Sequence, residues 1–166
     1  MRNYMQTLLG TVKFSRSPLI NGHPLIVSRE VEYAENGAGV YTGSVTVPAG
    51  ATVLDIQLRS TVLWAAATSA VMKVGDAADD DGWYTGVNLK ATDLLVGEVI
   101  RFASPGGKEG AYLVTASGLL NTSYSGAARV ISGVITSVGA GTAGRTRMLV
   151  TYALPHPFGA VQATKA

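Results

Sequence analysis

The chain of 166 residues is long enough for one domain that removes roughly 70% of its extended surface from water. Hydrophobic residues make up 47% and charged residues 14%, against a usual roughly 25%, so Ser, Thr, Gly and Ala must cover much of the surface. The absence of cysteine excludes a disulfide scaffold and a thiolate metal centre, and a net charge of +2 with cations spaced singly along the chain argues against nucleic acid as a partner.

Residues 1–29 hold four basic and no acidic residues and include SRSPLINGHPLIVSR, where Pro18, Gly22 and Pro24 interrupt any regular element. Residues 1–25 therefore read as an N-terminal arm, and Leu19, Ile20, Leu25 and the adjoining Ile26 need a neighbour to cover them. No apolar stretch of signal-peptide or membrane-spanning kind occurs, which reads as a protein made and used in the cytoplasm. Residues 30–109 carry all eleven acidic residues, and residues 110–166 carry four basic and none acidic. Basic ends around an acidic middle suit docking onto an acidic protein face or another copy of the chain.

From residue 26 the chain breaks into short apolar runs rich in Val and Thr, separated by Gly, Asn, Asp and Ser. Strands are predicted at residues 26–33, 39–47, 52–63, 69–74, 99–103, 111–116, 128–138 and 147–153. In TVLDIQLRSTV, Val53, Asp55, Gln57 and Arg59 alternate with Leu54, Ile56 and Leu58, which turns one face inward. ATDLLVGE can start a short helix capped by Thr92 or Asp93, stopped by Gly97. The reading is an all-β, single-domain antiparallel β-sandwich over residues 26–154, jelly-roll-like because the Cys-Trp-Cys framework of immunoglobulin domains is missing. Residues 155–166, which follow Leu154 as PHPFGAVQATKA, form a C-terminal tail.

VGDAADDDGW, residues 74–83, puts four aspartates into six positions. With Gly82 as the sixth residue of a helix-loop-helix calcium loop, Ala77 falls in the first ligand position and Asn88 where a bidentate Glu belongs, so the stretch reads as a hydrated turn and no metal is expected. GAGTAG, residues 139–144, has the spacing G-x-G-x-x-G, but the strand-like RTRMLVTYA follows where a dinucleotide site needs a helix, so it reads as a hairpin loop between the last two strands. No cofactor is expected. His23 and His156 each precede a proline in an irregular arm, no nucleophile elbow or phosphate loop occurs, and a pair such as Asp55 with Glu98 is of a kind any β protein offers, so the chain does not read as an enzyme. Trp64, Trp83 and Tyr84 present the alternative of a sugar-stacking platform on a tail or fibre module.

VPAGATVLDIQLRSTV and TSAVMKVGDAADDDGW together resemble the head decoration, or cement, proteins of tailed bacteriophages. In that group a P-A-G-A turn, here residues 48–51, opens a strand, and a later strand ends in an aspartate-rich V-G-D turn, here residues 74–76. RVISGVITSVGAGTAGRTRMLVTYA resembles the group's closing strands, and the resemblance covers residues 47–154. It implies a β-sandwich, often a homotrimer, on the capsid exterior of the virion after assembly in host cytoplasm, with the major capsid protein as partner and neither DNA nor membrane contacted. On that reading Arg2, Tyr4, Lys13, Phe14 and Arg16 in the first arm, and Pro157 and Phe158 in the last, make the contacts.

Overall fold

The computed structural model describes residues 25–90, 92–114, 120 and 122–155, and among them it contains eight strands and no helix. The strands are β1 (Ile26–Ala34), β2 (Gly39–Val47), β3 (Thr52–Val62), β4 (Ser69–Gly75), β5 (Tyr84–Asn88), β6 (Val99–Ile100), β7 (Arg129–Val138) and β8 (Arg145–Ala153). They form two antiparallel four-stranded sheets, β1-β8-β3-β6 and β2-β7-β4-β5, so the all-β sandwich expected from the pattern is the observed fold. First strand pairs with last, second with seventh, third with sixth and fourth with fifth.

Alternation explains how each sheet closes its inner face. In β8 the residues Thr146, Met148, Val150 and Tyr152 are buried while their neighbours are partly exposed. In β7 the buried set is Ile131, Gly133, Ile135 and Ser137. The two sets meet Ile56 and Leu58 of β3 and Met72 and Val74 of β4, all fully buried, in one core. Each such aliphatic side chain contributes about 1.5–3 kcal/mol by leaving water. The β3 alternation carries a correction: the register shifts between Val53 and Asp55, which makes Leu54 an extra, exposed residue and leaves Val53, Ile56, Leu58 and Ser60 inside.

Three further expectations are corrected, and one strand was not expected at all. Residues 111–113 form a turn, because Gly110 N–H is taken by Trp83 and Tyr112 N–H by Gly82, and residues 115–116 lie outside the described residues. The strand expected at residues 99–103 ends at Ile100, since Phe102 N–H turns to the Asp55 carboxylate, and Arg101 and Ser104 close a tight turn on each other. At residues 92–98 there is no helix. Asp93 spends its carboxylate on the Asn88 N–H and Lys108, and Glu98 accepts the Leu95 N–H. Conversely β5 was missed, because YTGVN holds a glycine and an asparagine; β4 secures it from either side, through Trp83 N–H to Val74 O and Leu89 N–H to Ala70 O.

One cross-sheet contact ties the layers together. Tyr33 of β1 reaches across the core, and its hydroxyl lies 3.1 Å from both the Gly43 and Gly133 carbonyl oxygens, which share its proton. Gly43 and Gly133 are paired residues of β2 and β7 that both face inward. A methyl group on Gly133 would overlap the Tyr33 hydroxyl and stand 2.8 Å from Met72 Cε, so only glycine leaves room for the ring. We expect Gly133→Ala to cost about 1–3 kcal/mol through overpacking, and Thr136→Ala on the exposed face of the same strand to stay within about 0.5 kcal/mol. Urea denaturation of both variants measures the difference.

Candidate contact surface

The aspartate run forms the connection between β4 and β5. Asp76 Oδ1 accepts the Ala78 N–H at 2.9 Å and the Asp79 N–H at 3.3 Å, a side-chain turn that mimics a backbone one. The same oxygen accepts the Tyr112 hydroxyl at 3.0 Å, and Asp79 O receives the N–H groups of Asp76 and Gly82. Asp80 pairs with Lys73, and Asp81 accepts the Thr85 hydroxyl at 2.8 Å, which lowers the Asp81 pKa. Carboxylate oxygens of Asp79, Asp80 and Asp81 come within 4.8 Å of one another. The run is a self-capped turn whose charges are spent on its own backbone, Lys73, Thr85 and Tyr112.

Tyr112 links this turn to the aromatic end of the core. Its ring stands edge-on to Trp83, which stacks on Phe102 with centroids 5.1 Å apart, and the Arg129 guanidinium lies 5.5 Å from the Trp83 ring. Burial and the Asp76 carboxylate push the Tyr112 hydroxyl up to about 12. Tyr33 and Tyr84 are likewise raised, mainly by burial. Trp83 and Tyr84 are fully buried and Trp64 nearly so, with Tyr84 O–H donating to Ile56 O at 2.6 Å and Trp64 Nε1 to Thr146 Oγ1 at 2.9 Å. The sugar platform considered from sequence is therefore corrected: these rings are core, because β5 turns Tyr84 inward and Phe102 covers Trp83.

At the opposite end of the second sheet the glycine run joins β7 to β8. Those strands lie in different sheets, so the connection is a crossing and not the expected hairpin loop. It cradles an anion from its own chain. Glu35 Oε2 accepts the Gly144 N–H at 3.0 Å, the Ala143 N–H at 3.3 Å and the Ala65 N–H at 2.8 Å. A Cβ on Gly141 would overlap Glu35 Oε1, which is why glycine stands there. Each N–H left buried without that acceptor would cost about 1–3 kcal/mol. The pair Asp55 and Glu98 is likewise occupied, Asp55 by Phe102 N–H, Gln57 and Arg101, Glu98 by its own turn.

The outer faces of the two sheets differ in kind. On the first, Glu30 and Glu32 of β1 interlock with Arg59 of β3 and with Arg145 and Arg147 of β8; Arg59 and Glu30 meet at 2.7 Å, as do Arg147 and Glu32. On the second, β2 offers Val40, Thr42, Ser44 and Thr46, β7 offers Val130, Ser132, Val134, Thr136 and Val138, and β4 offers Ser69 and Val71. The charge among the β4 side chains of that face is Lys73, already paired with Asp80. Sequence alone did not assign this face of valines and hydroxyls to one sheet, although its signal is present in GVYTGSVTV and RVISGVITSV, where Val alternates with Thr, Ser and Gly. The arm residues chosen from sequence, Arg2, Tyr4, Lys13, Phe14, Arg16, Pro157 and Phe158, lie outside the described residues, as do His23 and His156.

A chain of the cyanophage Pam1 capsid asymmetric unit is similar to this one, at 23% identity, with 88% of this chain and 99% of that chain covered and a TM-score of 0.55. A chain of the acidic stable capsid structure of Helicobacter pylori bacteriophage KHP30 is similar at 16% identity, covering 80% and 90%, with a TM-score of 0.54. The chain shares its fold with both. No protein-family model and no curated protein matches it.

Two measurements check this account of the site. Calcium in millimolar excess should leave the melting temperature unchanged, because the aspartates are already partnered, whereas a filled site would raise it by mass action. Because the folded Tyr112 pKa exceeds the ordinary value, its contribution to stability is complete below about pH 10 and is lost as pH rises toward about 12. Urea midpoints should therefore fall across that window, and absorbance at 295 nm should show Tyr112, Tyr33 and Tyr84 ionising only as the chain unfolds.

Proposed function

We propose that this chain is a virion structural protein, a capsid decoration or cement protein that binds the major capsid shell from outside. The observation that carries the reading is the shared fold with chains of two phage capsids, with nearly the whole of the Pam1 chain covered. The turn motifs at residues 48–51 and 74–76 point the same way. Strand order adds support for the jelly-roll form of the fold: a ribbon pairing first with last through fourth with fifth, rolled so that β3 also meets β8 and β4 also meets β7, is an eight-stranded double Greek key.

The surface suits that task. A shell-binding subunit needs area that loses little solvation on contact, and the Val, Ser and Thr face of the second sheet is such area. Weak contacts repeated over a symmetric shell gain strength through multivalency. The arms would add the grip, Arg2, Lys13 and Arg16 carrying positive charge and Tyr4, Phe14, Pro157 and Phe158 supplying apolar anchors.

The test is co-sedimentation of purified protein with DNA-filled heads that lack it. Binding is expected, with loss of retention on deleting residues 1–20 while the remaining domain still melts cooperatively. Absence of binding to any such shell, or turnover of a small molecule by the chain, would overturn the reading.

A further inference from the structure

The corner between β1 and β2 contains an Asn-Gly pair, Asn36-Gly37. In such a pair the side-chain amide is open to attack by the next backbone nitrogen, because glycine has no side chain to shield that nitrogen. Asn36 is exposed, and a Cβ on Gly37 would meet nothing within 4 Å, so no packing covers the reacting atoms.

What restrains the pair is hydrogen bonding. Gly37 N–H donates to Gly141 O at 2.7 Å and Glu35 N–H to Gly144 O at 2.8 Å, so the corner is pinned to the β7–β8 crossing on both sides of Asn36. Asn36 N–H donates to the Tyr41 hydroxyl at 2.8 Å, and that hydroxyl donates to Gly37 O at 2.6 Å. The Glu35 carboxylate fastens the crossing itself by accepting the Ala143 and Gly144 N–H groups. Every N–H of residues 35–37 is therefore engaged, and the nitrogen that would attack is the one donating to Gly141.

We infer that Asn36 is a modification site, a deamidation site that the β7–β8 crossing keeps locked. In the reaction the Gly37 nitrogen gives up its proton and bonds to Asn36 Cγ, while the side-chain nitrogen takes up a proton and leaves as ammonia, which closes a succinimide ring. Water then adds to one of the two ring carbonyls and breaks its bond to the Gly37 nitrogen. Cutting at Cγ leaves aspartate, and cutting at the main-chain carbonyl leaves isoaspartate; only water is consumed and nothing is oxidised or reduced. The Gly37 nitrogen must be free and able to swing toward Cγ, so the ring closes only from conformations in which the bond to Gly141 is broken. The product places a carboxylate beside the buried Glu35, where like charges repel, and isoaspartate lengthens the backbone of the corner. An opening of the connection between the two sheets is thereby recorded permanently in the chain. The inference is independent of the capsid reading.

The experiment keeps the full chain in mildly alkaline buffer and follows Asn36 by digestion and mass spectrometry, through the mass gained when NH2 is replaced by OH. Conversion in the folded parent should be slower than in the chain unfolded by guanidinium by about tenfold or more, the scale set by breaking two hydrogen bonds before the ring can close. Glu35→Ala and Tyr41→Phe, each checked for folding by circular dichroism, should react several times faster than the parent. Tyr41→Phe keeps the ring edge-on to Trp64 and decides the question if Glu35→Ala does not fold. Faster conversion in either folded variant supports the lock. A parent-like rate in every folded variant, equal rates in the folded and unfolded parent, or no conversion in the unfolded chain would overturn the inference.

Discussion

The arrangement depends on one side chain crossing the core. Tyr33 leaves the edge strand of the first sheet and lands its hydroxyl on the paired carbonyls of Gly43 and Gly133 in the second. Two stacked sheets can slide over one another as long as only aliphatic side chains separate them, because dispersion and hydrophobic burial are not directional. A buried hydroxyl is directional, since leaving it unpaired costs about 1–3 kcal/mol. The contact therefore selects a register between the layers. It also needs two glycines facing each other on neighbouring strands, and any side chain at either would push the ring out.

The two conspicuous loops solve one problem at opposite ends of the second sheet. A connection folded against a sheet end buries backbone N–H groups that have no strand to receive them. Asp76 accepts an exposed and a half-buried N–H in the β4–β5 connection, and Glu35 accepts one buried and two half-buried ones around the β7–β8 crossing. Residue patterns that resemble a cation loop and a phosphate loop are thus consumed by the chain's own folding. The carboxylate and the glycine-rich backbone, which in a ligand site would belong to different molecules, are here both supplied by the protein.

What remains for partners is surface, and the surface is divided. Five charged residues on the first outer face neutralise one another in place, which makes that face costly to desolvate for modest gain. The second outer face carries aliphatic and hydroxyl groups and ends in the uncharged strand β2. Apolar and hydroxyl groups lose less on leaving water than fixed charges do, so the second outer face is the cheaper of the two to desolvate.

Much of this was legible in the sequence, because an alternation of Val and Thr with Ser, broken every ten residues or so by Gly and Asp, has few solutions other than antiparallel strands. The all-β sandwich, the long strands β1 to β4, β7 and β8, and the self-contained aspartate turn all follow from local pattern. Strand β5 did not, because YTGVN has poor strand propensity and is held by bonds to β4, nine to nineteen residues back. Nor did the burial of Trp83 and Tyr84, the change of sheet between β7 and β8, or the grip of Glu35 on a run more than one hundred residues further along. By itself the sequence determined which segments are extended and which are turns, since those preferences are set by neighbours within a few residues. Only the tertiary structure decided which faces look inward past a bulge and which carboxylates are spent on backbone, because each depends on contacts between residues far apart in the chain.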